Sequence, residues 1–291
     1  FHSSLGQQPG PGEKRRGGPK AVNLLQLINI EVVFEQNTNN ETVVFADFNL
    51  EIKKGQFISL VGSNGSGKTT LLNLIAGNII PTKGSVVFAQ RDITGLKEHQ
   101  HSHFMGRVFQ DPALGTSPSM TILENLALAE AKGHSFGLQR GINKKRLDYY
   151  KTRLEQLQLG LENKLQVQVG SLSSGQRQAL ALLICTLTPI KLLILDEHTA
   201  ALDPKTSETI MELTDKIIKK QGVTALMVTH NLRYALEYGD RLLMLDKGKT
   251  VIDANNAEKD KLRVQDLVQM FSEFMEERPA ISNLKVIHLA T

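Results

Sequence analysis

The stretch that decides the fold is Gly55–Gly77, "GQFISLVGSNGSGKTTLLNLIAG". Its apolar start predicts a buried strand, and its end has the apolar spacing of a helix that stops at Gly77. Between them, Gly62–Thr69 matches GxxxxGK[ST], which places a glycine-rich phosphate-binding loop between a strand and a helix. The alternative is a glycine-rich turn that binds nothing. The presence of strand, loop, lysine, threonine and helix together favours the phosphate site.

This loop predicts the part of a site that holds a nucleotide's phosphates. Its glycines let backbone amides converge on phosphate oxygens, and the helix N-terminus adds partial positive charge. Lys68 would reach the β- and γ-phosphates, and the Thr69 hydroxyl would ligate Mg²⁺. The predicted phosphate-binding residues are Gly62, Ser63, Asn64, Gly65, Ser66, Gly67, Lys68, Thr69 and Thr70.

Two adjacent acids follow the apolar run "LLILDE", Leu192–Glu197. A buried strand that ends in two carboxylates is costly unless something uses them. We expect Asp196 to orient Mg²⁺ through water or Thr69, and Glu197 to polarise a water for in-line attack on the γ-phosphate. The alternative, two acids that cap the next helix, would be preferred without the phosphate loop.

A second anion-binding helix start is predicted within "SLSSGQRQALALL", Ser171–Leu183. Small polar residues precede a helical apolar pattern, so Ser173, Ser174 and Gly175 would lie at the helix N-terminus. A second such end makes sense in one chain if it serves the nucleotide of another protomer.

The order of elements predicts an α/β fold with a mostly parallel sheet. Antiparallel strands come first, residues of about 111–170 read as a helical subdomain, and strands then alternate with helices. We expect one domain over residues 21–278, with its catalytic core in 21–110 and 171–250 and a C-terminal helix at about 256–278. Residues 279–291 would form a tail.

Composition restricts the possible classes of protein. Residues 1–20 read as a linker or cloning remnant, and their four basic residues and one acid supply three of the four net positive charges. The rest is close to neutral, so we expect no nucleic-acid partner. The single cysteine, Cys185, excludes an internal disulfide framework and suits a reducing compartment. The apolar runs are too short to cross a membrane.

These motifs together resemble the ATP-binding-cassette (ABC) ATPases over nearly all of residues 23–250. In that family "GSNGSGKT" is the Walker A motif, "GRVFQDP" the Q-loop, "LSSGQ" the signature, "LLILDE" the Walker B motif, "AALD" the D-loop and "VTH" the switch-histidine segment. "GTSPSMTILENLALA", "DEHTAALDPKT" and "LMVTHNLRYAL" resemble a narrower bacterial branch, the ATPases of amino-acid importers of tryptophan/tyrosine type.

The resemblance implies a head-to-tail homodimer that binds ATP and Mg²⁺ between its subunits. Glu197 would be the catalytic base and His230 would contact the γ-phosphate, while Gln110 would assist Mg²⁺ and couple the site to a membrane partner. The signature residues that would close over the partner's ATP are Ser173, Ser174, Gly175 and Gln176. Asp203 would lie at the dimer seam, and Phe34 would stack on adenine, with plain strand core as its alternative.

Two residues depart from the family pattern. Ser174 stands where the signature usually has glycine, but serine is small and can donate a hydrogen bond, so we expect function to be retained. His198 stands where proline usually follows the glutamate. In the narrower branch histidine is usual there, and we interpret His198 as a helix-start residue rather than a catalyst.

The expected function is ATP hydrolysis that powers a bacterial importer of a small solute such as an amino acid. The chain would sit on the cytoplasmic face of the cell membrane, bound to permease subunits, with a solute-binding protein acting through them. An exporter ATPase is the alternative, and a soluble ABC ATPase of repair or translation a remote one. "HQHSH", His99–His103, is interpreted as a solvated loop rather than a metal site, and Tyr149 and Tyr150 as packing residues.

Overall fold

The computed structural model describes residues 22–132 and 144–276. The expected linker, residues 1–20, and tail, residues 279–291, lie outside these ranges. Within them, no helix has both the length and the apolar character needed to cross a bilayer.

The core is a six-stranded sheet in the order β10-β9-β3-β8-β7-β6. All neighbouring pairs are parallel except β10 and β9, which form an antiparallel edge. Strands that are buried on both faces need side chains that are apolar at nearly every position. This is why these segments appear in the sequence as continuous apolar runs. The strands are β3 (Phe57–Gly62), β6 (Met105–Val108), β7 (Leu192–Asp196), β8 (Thr224–Val228), β9 (Arg241–Asp246) and β10 (Lys249–Asn255).

A second sheet is antiparallel, in the order β2-β1-β4-β5. It consists of β1 (Asn23–Phe34), β2 (Thr42–Lys53), β4 (Lys83–Phe88) and β5 (Arg91–Asp92). One hydrophobic cluster joins it to one face of the parallel sheet and to the helix that follows the phosphate loop, so both sheets pack against that helix. The predicted α/β architecture, mostly parallel with an antiparallel β subdomain, is confirmed.

Helices cover the parallel sheet and form the subdomain. The nine α-helices of the described ranges are α1 (Lys68–Ala76), α2 (Glu98–His101), α3 (Ile122–Glu130), α4 (Leu147–Glu155), α5 (Ser174–Leu187), α6 (Pro204–Gln221), α7 (Leu232–Glu237), α8 (Asn256–Lys259) and α9 (Val264–Glu276). A large apolar cluster combines α3, α4, α5 and α6 with the sheet face opposite α1.

The predicted helical subdomain is present between the core halves. Thr121 and Glu124 form a reciprocal capping box that starts α3. Tyr150 is buried and donates its hydroxyl proton to Glu130, while Arg146 lies 3.8 Å over the Tyr149 ring. Both tyrosines are therefore packing residues, as predicted.

Three sequence expectations need correction. The single helix predicted over 256–278 is two helices, α8 and α9, with a break where Asp260 caps α8. His198 lies in a turn before α6, not at a helix start, because the helix begins only at Pro204. The polar segment His99–His103 contributes a short helix in which His101 is 3% exposed and its Nδ1 lies 3.0 Å from the Ile75 carbonyl oxygen.

Candidate functional site

The phosphate loop joins β3 to α1, and its backbone conformation at Gly67 would not accommodate a residue with a side chain. Gly67 caps α1 with a φ of +105°, and a Cβ there would lie 3.0 Å from Phe45 Cζ. The Ser66 hydroxyl oxygen is buried and has no hydrogen-bond partner within the described residues. Buried polar atoms normally have partners, so an unsatisfied one beside a ring of amides suits a loop that receives an anion.

Lys68 folds back onto this loop. Its Nζ donates to the carbonyl oxygens of Gly62 and Ser63, at 2.8 and 2.9 Å. Burial lowers the pKa of Lys68, and the Glu197 carboxylate partly offsets this by favouring the charged form. The ammonium group is thus held at the loop while Thr69, the next residue, is exposed.

Glu197 and His230 meet at the carboxyl ends of two neighbouring strands. Asp196 ends β7 opposite Val228 of β8, so the residues after each strand are adjacent. The Glu197 Oε1 lies 2.7 Å from the His230 Nε2. Glu197 has a φ of +48°, a costly backbone conformation for a non-glycine residue that is concentrated at functional sites. The structure thus brings together the two residues that the sequence assigns to the hydrolytic step, and that assignment stays a prediction.

Asp196 is paired with a cation that the sequence reading missed. The Arg107 NH2 donates to the Asp196 Oδ2 at 2.7 Å, and NH1 of the same guanidinium donates to the Asn73 Oδ1 at 2.8 Å. Arg107 lies on β6 beside β7, and Asn73 lies on α1. The contact therefore joins three elements: β6, β7 and α1.

The predicted signature residues form the N-terminus of α5. The Ser173 hydroxyl accepts from the Gln176 amide, and the Gln176 side chain accepts in return from the Ser173 amide. Ser173 and Ser174 are exposed, whereas Gly175 is buried where a Cβ would lie 2.4 Å from Thr206 Cγ2 of α6. The helix end is therefore capped by its own side chains, and its two serines are open to solvent.

The remaining predicted residues lie at loop ends. Gln110 is exposed just after β6, and Asp203 is exposed and caps α6 by accepting from the Thr206 amide. Phe34 is 40% exposed at the end of β1 and pairs with Thr42. Val44, two residues after Thr42 on the same strand, lies close to the phosphate loop: a Cβ added to Gly67 would be 3.4 Å from its side chain. Phe34, which pairs with Thr42, is therefore at the end of this sheet that is nearest the phosphate loop.

Two cavities share His230 in their linings. One, of about 600 Å³, is lined by the phosphate loop with His230, Asp246, Lys247 and Phe271. The other, of about 500 Å³, is lined by Glu197, His230 and the segment that leads into α6. Neither cavity has a signature residue in its lining. The predicted signature and phosphate loop thus do not share either cavity.

The donor set suits Mg²⁺ held largely by a nucleotide. The described residues contain no group of three or more His, Cys, Asp or Glu side chains able to hold a metal alone. Magnesium in nucleotide sites is usually held by one or two carboxylates together with phosphate oxygens and water. Asp196 with the Thr69 hydroxyl is such a partial set.

Comparison with known proteins agrees with this geometry. The family model described as "ABC transporter" matches residues 45–200. The chain belongs to the ABC transporter family. It is an ATPase of the ABC type, with the α/β fold of the ABC cassettes.

Several relatives of this ABC ATPase align with it over most of both chains. The tyrosine transport ATP-binding protein of Clostridioides difficile is 45% identical over 85% of this chain and 98% of its own length. The xylose/arabinose import ATP-binding protein of Sulfolobus acidocaldarius is 31% identical over 77% of this chain and 86% of its own. Among solved structures, a dimeric post-hydrolysis ATP-binding cassette with ADP and Pi has a TM-score of 0.68 and 28% identity, and covers 80% of this chain and 99% of its own.

Proposed function

We propose that this ABC ATPase is the nucleotide-binding subunit of a bacterial importer for a small solute of amino-acid type, and that it acts as a head-to-tail homodimer on permease subunits. The observation that carries the proposal is the contact of Glu197 with His230 beside a complete phosphate loop. The amino-acid class is supported by the relative whose name describes tyrosine transport, and the import direction by the relative whose name describes xylose/arabinose import.

The proposed chemistry is hydrolysis of ATP by a positioned water. The loop amides and Lys68 would hold the phosphates, and Glu197 would accept a proton from the attacking water, with His230 holding the carboxylate and the γ-phosphate in place. Mg²⁺, held by Thr69, Gln110 and, through water, Asp196, would neutralise charge on the phosphates. Phe34 would stack on the adenine.

The partner subunit would complete each site. The partner subunit's Ser173, Ser174, Gly175 and Gln176 would contribute the N-terminus of α5, where the two serines are exposed, and its Asp203 would contribute the exposed start of α6. The helical subdomain and the Gln110 loop would receive a permease segment at the cytoplasmic face of the membrane. A solute-binding protein would act through that permease.

Affinity purification of the tagged full chain from membranes of its native host tests this role. We expect an integral membrane protein in comparable amount, and ATP hydrolysis by the purified complex that rises when an aromatic amino acid and its solute-binding protein are supplied. A matched purification with Lys68→Ala should retain the membrane protein but lose hydrolysis. Recovery of nucleic acid or ribosomes with no membrane protein would contradict the proposal.

A further inference from the structure

Arg107 occupies a position between the three elements that build the predicted Mg²⁺ site. Its guanidinium reaches Asp196 at 2.7 Å and Asn73 at 2.8 Å, and its Cζ lies 4.9 Å from the centre of the Phe109 ring. Asn73 is four residues after Thr69 on α1, so both face the same side of that helix. Phe109 directly precedes Gln110. One side chain therefore touches β7, α1 and the start of the Gln110 loop.

This ion pair is shielded from water. The side chains of Arg107 and Asp196 are 15% and 22% exposed, and the Arg107 Nε is buried without a partner within the described residues. Partly buried charges are screened by salt much less than surface charges. The Arg107 guanidinium is consequently held next to Asp196. Its charge should strongly repel any other cation that approaches the same carboxylate.

We propose that Arg107 is a positioning residue that acts as an internal competitor of Mg²⁺ at Asp196. The guanidinium neutralises the carboxylate while Mg²⁺ is absent, and repels the cation when it binds. Arg107 thereby weakens the dependence of ATP binding on Mg²⁺. This inference rests on the proposed role of Asp196 in holding Mg²⁺ through water.

The electrostatic argument has two parts that act in the same direction. Without Mg²⁺, an unpaired Asp196 would repel the phosphates, so loss of Arg107 should weaken the binding of metal-free ATP. With Mg²⁺, loss of Arg107 removes a like charge near the cation and frees the carboxylate, so Mg²⁺ should bind more tightly. Both changes increase the ratio of the ATP dissociation constant in EDTA to that in saturating Mg²⁺.

The test compares Arg107→Met with the parent in a Glu197→Gln background, where turnover is blocked. A fluorescent ATP analogue is titrated in EDTA, in saturating Mg²⁺, and across a Mg²⁺ series. We expect the EDTA-to-Mg²⁺ ratio of dissociation constants to rise about three- to tenfold, with a matching fall in half-saturating Mg²⁺. Arg107→Gln, which keeps hydrogen-bonding capacity without charge, should behave the same way, and Arg107→Lys should stay near the parent ratio.

The chain offers a matched control in Arg241 and Asp253. This pair joins β9 to β10 at 2.6 Å, and its side chains are also 15% and 22% exposed. Arg241→Met should lower stability while the Mg²⁺ ratio stays unchanged. If Arg107→Met and Arg107→Gln leave the ratio unchanged or reduce it, the proposal is wrong, because a merely structural role would alter both dissociation constants equally.

Asp196→Asn separates this proposal from the one on which it rests. If that variant collapses the Mg²⁺ ratio while the Arg107 variants do not change it, only the competition is refuted. If Asp196→Asn leaves the ratio at the parent value, the assignment of Asp196 to Mg²⁺ is refuted, and the competition with it.

Discussion

His198 is a buried histidine directly after the catalytic-base candidate. It is 2% exposed, and its Nε2 lies 3.1 Å from the Thr214 hydroxyl oxygen, which itself donates to the Ile210 carbonyl. Burial lowers the pKa of His198 to about 4, because the charged imidazolium is poorly solvated there. The ring therefore ties the turn after Glu197 to α6 in its neutral form.

The neutral state of His198 gives a pH dependence of stability. In the unfolded chain its pKa is about 6.5, so below that pH protons bind the unfolded state preferentially and the free energy of unfolding falls toward pH 4. At pH 5 the loss should be about 2 kcal/mol relative to pH 8. Urea unfolding measures the free energy of unfolding at each pH. Between pH 8 and pH 5 this free energy should fall more steeply in the parent than in His198→Gln.

The control for this measurement is His103→Gln. His103 is exposed, so this variant tests the removal of a histidine that is not buried. If His198→Gln and the parent lose stability in parallel from pH 8 to pH 5, burial of a neutral ring at position 198 is the wrong account.

Individual site residues were predictable where local sequence determines them. Lys68 and Glu197 follow from a loop and a strand end that a short window contains. The Arg107 contact with Asp196 spans 89 positions, and only the pairing of β6 with β7 brings them together. His101 was misread as solvated for the same reason, since its burial depends on Ile75 and Gly77 of another element.

Among the elements, α9 brings the C-terminal region to the phosphate loop. Leu267 is completely buried in a cluster with β9 and β10, and Val268, its neighbour, is 49% exposed. Phe271 of the same helix lines the cavity of the phosphate loop. The amphipathic pattern of this segment is thus satisfied by packing on the sheet edge.

This packing predicts a large difference between adjacent positions. Leu267→Ala should lower the free energy of unfolding by about 2–4 kcal/mol, because it removes a fully buried side chain and leaves a cavity. Val268→Ala should change it by no more than about 0.5 kcal/mol. Chemical denaturation of both variants measures the difference, and equal effects would contradict the placement of α9.

Elements with a continuous apolar run or a clear period were predictable from the sequence, and elements without one were not. The strand β6 has only four residues, and Gly106 and Arg107 interrupt its apolar character, so no period is visible in the sequence. The helix α2 also has only four residues, whereas β10 has seven but lies at the edge of the sheet. Their structure depends on pairing or packing with distant segments, as β10 pairs with β9. Local propensity alone does not specify such elements.

At the scale of the whole molecule, the proposed dimer requires that the chain carry two separate halves of a site. The phosphate loop, Glu197 and His230 line cavities that contain no signature residue, while the α5 N-terminus faces solvent. A related cassette is known as a dimer with ADP and Pi. One half would hold the phosphates and the attacking water, and the other would supply a helix N-terminus to the same ATP. We therefore expect ATP to promote association of two copies of the chain.

Analytical ultracentrifugation of Glu197→Gln tests this central claim most directly. With the base replaced and ATP and Mg²⁺ present, we expect a stable dimer with two bound ATP molecules and no measurable hydrolysis, whereas ADP should leave a monomer. Ser173→Arg in the same background should prevent the dimer but leave monomer ATP binding intact. A Glu197→Gln protein that stays monomeric with ATP bound, or that still hydrolyses ATP at the parent rate, would contradict the account.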